Sequence, residues 1–121
     1  MSSFNIRELA LKNTDYRRSI YTDGRGNSAV QIDLMSIKPG EDVPMEIHPH
    51  ATQLLFIVGG LGIATVDNIL YGIDDGSCVL VPPNTYHRIE SIGKTSLKLY
   101  TIYIPPEHAP GIVSKSKNDD K

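Results

Sequence analysis

"QLLFIVGGLGIATVDNILYGIDDGSCVLV", residues 53–81, shows what kind of secondary structure builds this chain. Its apolar runs QLLFIV, GIATV, ILYGI and SCVLV are too short for helices, and turn formers (GGLG, DN, DDG) separate them. Short runs rich in β-branched and aromatic residues, cut at close intervals by Gly, Asn and Asp, form antiparallel strands. The same pattern continues outward in RRSIYT, VPMEIH, HRIESI and LKLYTIY, with KPGED, PPNT and GKTS as separators. SAVQIDLMSI alternates, with Val30, Ile32 and Leu34 on one side and Gln31, Asp33 and Met35 on the other. DGRGN after RRSIYT is a Gly-rich hairpin turn that lacks the strand-to-helix setting of a phosphate loop. About nine such strands predict an all-β sandwich or barrel and exclude a parallel sheet with crossover helices.

The continuous runs at 54–58 and 79–81 predict strands buried on both faces, which a closed double sheet provides. Cys78, inside CVLV, is expected in the core and not as a nucleophile. FNIRELALKN is the one helical candidate, with Ile6, Leu9 and Ala10 at spacings of three and four. A chain of 121 residues fits one domain. We expect a barrel over 16–106 and an N-terminal segment, 1–15, able to pair with a neighbouring subunit. The tail at 107–121, ending in SKSKNDDK, is polar and without periodicity, and is expected to be disordered.

Hydrophobic residues make up 40% and charged residues 21%, with a net charge of −2, so a basic nucleic-acid face is not expected. No apolar run approaches the roughly 20 residues of a membrane span, and MSSFNIRELALKN lacks the layout of a secretory signal. A single cysteine cannot form an internal disulfide, which predicts a reducing, cytoplasmic setting.

The chemistry concentrates in MEIHPHATQ, residues 45–53, and in His87 after PPNTY. Strand alternation points Glu46, His48 and His50 to one side, with Val43, Met45 and Ile47 on the apolar other. A carboxylate with two or more imidazoles from adjacent strands suits Fe(II), Mn(II), Ni(II) or Zn(II). On spacing alone, histidines that merely hydrogen-bond strand ends fit equally well.

These residues resemble the cupin superfamily, whose two motifs run G-x5-H-x-H-x3 or 4-E-x6-G and G-x5-P-x-G-x2-H-x3-N. The first frame is met by Gly40, Glu46, His48, Gln53 and Gly60; the second by Gly76, Pro82, Asn84, His87 and Ser91. The resemblance implies a double-stranded β-helix (jelly roll, RmlC-like) and a divalent ion on Glu46, His48, Gln53 and His87. It departs from the family pattern at Glu46 and Gln53: the amide binds more weakly and without charge, while Glu46 restores the carboxylate from another corner. Asn84 replaces a glycine, and Asn tolerates the left-handed conformation next best. His50 is expected beside the ion or in place of Gln53, and Phe56, Tyr86 and Tyr100 along the cavity. PGEDVPMEIHPHATQ and YTIYIPPEHAPG also resemble small cupins of the mannose-6-phosphate isomerase-like group. That implies a metal-dependent isomerase or oxygenase acting on a small oxygenated or sugar-like molecule, in a homodimer. A non-catalytic cupin that binds a small ligand and a metal-free structural barrel are the alternatives.

Overall fold

The computed structural model describes residues 2–24 and 29–120; most of the DGRGN turn lies outside them. Among the described residues one α-helix, α1 (Ile6–Lys12), precedes ten strands: β1 (Arg17–Thr22), β2 (Gln31–Ile37), β3 (Asp42–Glu46), β4 (Thr52–Gly59), β5 (Gly62–Val66), β6 (Ile69–Ile73), β7 (Cys78–Val81), β8 (His87–Ser91), β9 (Leu97–Ile104) and β10 (Val113–Ser114). They form two antiparallel sheets, ordered β10-β1-β2-β9-β4-β7 and β3-β8-β5-β6, the jelly-roll arrangement expected. Among the described residues no helix is long and apolar enough to cross a membrane.

Turn chemistry sets the register. Asp67 and Asn68, at φ of 50° and 65°, join β5 to β6 as a two-residue hairpin, the use to which Asn and Asp are suited. Gly60 sits at φ 86°, and a Cβ there would lie 2.6 Å from the Ser96 carbonyl oxygen, so no other residue fits. Asn84 adopts φ 60°, the conformation its place in the second frame requires.

Between the sheets, the inward residues divide into two halves. Met35, Ile37, Leu55, Ile57, Ile89, Leu97 and Leu99 pack a dry core. Each such side chain contributes roughly 1.5–3 kcal/mol by leaving water. Toward the other end the same strands turn inward Gln31, Asp33, Gln53, Thr101 and Tyr103, all buried. This polar half holds the site.

Helix α1 begins at Asn5, whose side chain accepts from the Glu8 N–H at 2.9 Å. It packs Ala10, Ile6 and Leu9 on the outer face of the larger sheet against Leu34 and Val58. That explains why both sides of β2 are buried. Strand β7 is different: as an edge strand it buries Val79 and Val81 but exposes Leu80 and Cys78, so the core position expected for the thiol is corrected.

The polar tail is also corrected. Residues 107–120 form a strap with β10 on β1 and a short 3-10 turn at Lys117–Asp119. Charge, not periodicity, orders it. Asp120 accepts from Arg17 Nε at 3.0 Å and from Ser114 Oγ at 2.9 Å, and Lys117 pairs with Asp42. Arg17, 1% exposed, also donates through Nη1 to Asp33 at 3.0 Å and to the Tyr103 hydroxyl at 2.9 Å.

Candidate metal centre

Strand β3 carries a bulge. Val43 pairs with Ile89 but Glu46 pairs with His87, so three residues on β3 oppose two on β8. The extra residue turns both Val43 and Glu46 inward and leaves Pro44 and Met45 exposed, which corrects the uniform alternation expected from 43 to 50. His48 follows the strand end and is 7% exposed. Its carbonyl accepts from the Asn84 N–H at 2.8 Å, which ties it to the turn that delivers His87, itself 1% exposed.

Glu46 Oε1 lies 3.3 Å from His48 Nε2 and 3.5 Å from His87 Nε2, and the two rings are 5.0 Å apart between centroids. One donor atom from each of the three residues falls within a 4.8 Å group. Donors bound about 2.0–2.2 Å from a common ion are separated by roughly 3 Å, close to these spacings.

The protonation pattern suits a cation. His87 Nδ1 lies 3.0 Å from the Thr85 carbonyl, which can only accept, so Nδ1 carries the proton and a neutral ring keeps its lone pair on Nε2. His48 Nδ1 faces Glu107 Oε2 at 3.3 Å, which favours the same tautomer. Both Nε2 atoms are buried without a hydrogen-bond partner. Such orphans are uncommon in folded proteins, and two converging on one carboxylate are the donor set a divalent ion takes.

Burial by itself would raise the Glu46 carboxyl, but the imidazoles of His48 and His87 hold it well below the usual carboxylate range. Burial would likewise lower His48; Glu46 and Glu107 outweigh that and raise it.

Gln53 stands on the facing sheet, level with Tyr103, whose ring meets that of His48 edge-on at 5.6 Å. Its Nε2 donates to Thr101 Oγ1 at 3.0 Å, and Oε1 is buried without a partner. The other expected residues lie elsewhere. His50, turned outward after Pro49, is exposed and does not join the three donors. Phe56 and Tyr100 stack at 4.9 Å on the outer face near α1, because β4 and β9 turn Gln53, Leu55, Thr101 and Tyr103 inward. Tyr86, 59% exposed, precedes the inward His87 and so points out. A surface depression of about 410 Å³ between β6 and β7, lined by Tyr71, Ile73 and Val79 among others, includes none of the three donors.

Sequence reasoning missed Glu107 and Gln31. Gln31 Oε1 accepts from the backbone N–H groups of Glu107 (3.1 Å) and His108 (2.9 Å), while its Nε2 donates to the His108 carbonyl at 2.9 Å. Its only signal in the sequence was an amide on the same strand side as Asp33.

Comparison with known proteins agrees with this architecture. The family described as "Cupin domain" matches residues 33–103. YrkC of Bacillus subtilis (strain 168) is 36% identical over 121 residues, covering 95% of this chain and 63% of its own length, so the chain spans somewhat under two thirds of that relative. The crystal structure of BH2720 from Bacillus halodurans superposes with a TM-score of 0.90 at 36% identity, covering 97% of this chain and 90% of that one. A shorter match, 31% identical over 71 residues, covers 59% of this chain and 15% of the mannose-1-phosphate guanylyltransferase RfbM of Salmonella typhimurium. With both motif frames in place, the barrel formed and the family match spanning most of it, the chain belongs to the cupin family.

Proposed function

We propose that this cupin binds a divalent ion of the Fe, Mn, Ni or Zn class through His48, His87 and Glu46, with Gln53 Oε1 as a weaker oxygen donor. The observation that carries this reading is the pair of buried, unpartnered Nε2 atoms beside one carboxylate oxygen. Two imidazoles and one carboxylate match the set used by non-haem Fe(II) oxygenases, with positions left open for a small ligand. Bound there, the ion supplies Lewis acidity toward a small oxygenated molecule. The chain's own part is to hold the imidazoles in one tautomer, through Thr85 and Glu107, and to limit access of water by burying both rings.

A sugar phosphate is the less favoured substrate. Arg17 is committed to Asp33, Asp120 and Tyr103, and Arg88 to Asp42 and Glu90, so neither guanidinium is free to receive a phosphate at the site. A non-catalytic small-ligand cupin would use the same centre. The free, exposed Cys78 suits a reducing, cytoplasmic setting. Ile69, Leu70, Tyr71 and Leu80, exposed on the uncharged edge strands β6 and β7, would be covered by a second copy in a homodimer.

Calorimetric titration of metal-stripped, tag-free protein tests the central reading. One ion per chain should bind, and His48→Ala with His87→Ala should abolish binding while the far-ultraviolet circular dichroism stays that of a β-barrel. Stoichiometric binding by the double variant overturns it. Oxygen uptake and sugar-phosphate isomerisation assays with the loaded protein then separate enzyme from binding module.

A further inference from the structure

We propose that the C-terminal strap is a working part of the metal centre: Glu107 positions His48, so docking of the strap and capture of the ion are coupled equilibria. This rests on the metal reading above. The strap reaches His48 at one atom, with Glu107 Oε2 3.3 Å from Nδ1, the nitrogen on the far side of the ring from Glu46. A carboxylate there holds the proton on Nδ1 and leaves Nε2 as the donor, and it turns the ring toward the other two ligands. Without Glu107 the ring is free to flip or to carry its proton on Nε2, and both changes oppose binding.

Glu107 is held in place by the rest of the strap. Gln31, fully buried, clamps the backbone at 107 and 108 through three hydrogen bonds. Further along, the Ser19 N–H donates to the Ile112 carbonyl at 2.9 Å, β10 pairs with β1, and Asp120 closes on the buried Arg17. Arg17 meets Tyr103, whose ring packs against both His48 and His108, so the strap's two ends meet one polar wall beneath the metal ligands. By linkage, whatever factor strap docking adds to metal affinity, the ion must return to strap docking.

Two measurements on the full chain test this with zinc as the probe. Hydrogen–deuterium exchange at the strap amides of wild-type protein, with and without zinc, needs no substitution; zinc should slow exchange at 107–113 at least about tenfold. Calorimetric titration of Glu107→Gln, similar in shape but uncharged, should show zinc affinity reduced about 10- to 100-fold, the usual loss when the partner of a ligating histidine is removed. Glu107→Asp should recover part of that loss, and zinc-dependent protection of the strap should shrink in Glu107→Gln. Strap exchange indifferent to zinc, or wild-type affinity in Glu107→Gln, overturns the coupling while leaving the metal centre intact. Wild-type protein that takes up no zinc, manganese, nickel or iron overturns the metal reading and the coupling with it.

Discussion

The backbone N–H of Asn84 donates to the carbonyl of His48 at 2.8 Å, so the turn introducing the second imidazole is fastened to the residue carrying the first. Asn84 accomplishes this at φ 60°, where a β-branched side chain is strained. Asn84→Gly should therefore be close to neutral, and Asn84→Val should destabilise by about 1–2 kcal/mol and weaken metal binding as well. Urea unfolding and calorimetry check this; a Val variant equal to wild type in both would show that the turn is not what fixes His48.

The buried pair Arg17–Asp33, with side chains 1% and 0% exposed, predicts a large asymmetric effect. Asp33→Ala leaves the guanidinium short of a partner beside Tyr103 and should cost about 3–5 kcal/mol in chemical unfolding. Replacing both residues with apolar side chains of similar volume should cost much less than the single change. Equal losses for single and double variants would contradict an ion pair that matters through desolvation.

The electrostatics of the metal-free site predict a pH optimum. Glu46 is depressed, so its contribution is present above the ordinary carboxyl value of 4.5 and fades as pH falls through the folded-state value. His48 is raised, so its contribution is complete below 6.5 and fades as pH rises through its folded-state value. In a chelator, thermal stability owed to this pair should peak between 4.5 and 6.5 and decline on the alkaline side. With excess zinc the alkaline decline should disappear, because the ion takes the neutral imidazole. A melting temperature that climbs above pH 6.5 without metal would contradict the pairing.

Much of the architecture was readable because turns constrain it locally. Glycine spacing marks places where the chain needs positive φ, as at Gly60, and strand period separates Gln53 and Leu55 from Leu54 and Phe56. Period alone does not say which of those two sides faces in. Phe56 and Tyr100 were misplaced for that reason, since α1 supplies a second apolar layer outside the barrel. The bulge between Val43 and Glu46 was hidden because one extra residue changes facing without changing composition. The strap was illegible for a different reason. Its order depends on partners such as Arg17 and Gln31, which lie 103 and 76 residues from Asp120 and Glu107. A polar tail with distant counter-charges looks, in sequence, like one without them.

Anomalous diffraction from crystals grown with manganese or zinc locates a bound ion without any substitution in the chain. One strong peak per chain is expected about 2.0–2.2 Å from Nε2 of His48, Nε2 of His87 and a carboxylate oxygen of Glu46. A peak at the exposed His50, or no peak between the two buried rings while the barrel is intact, would contradict it.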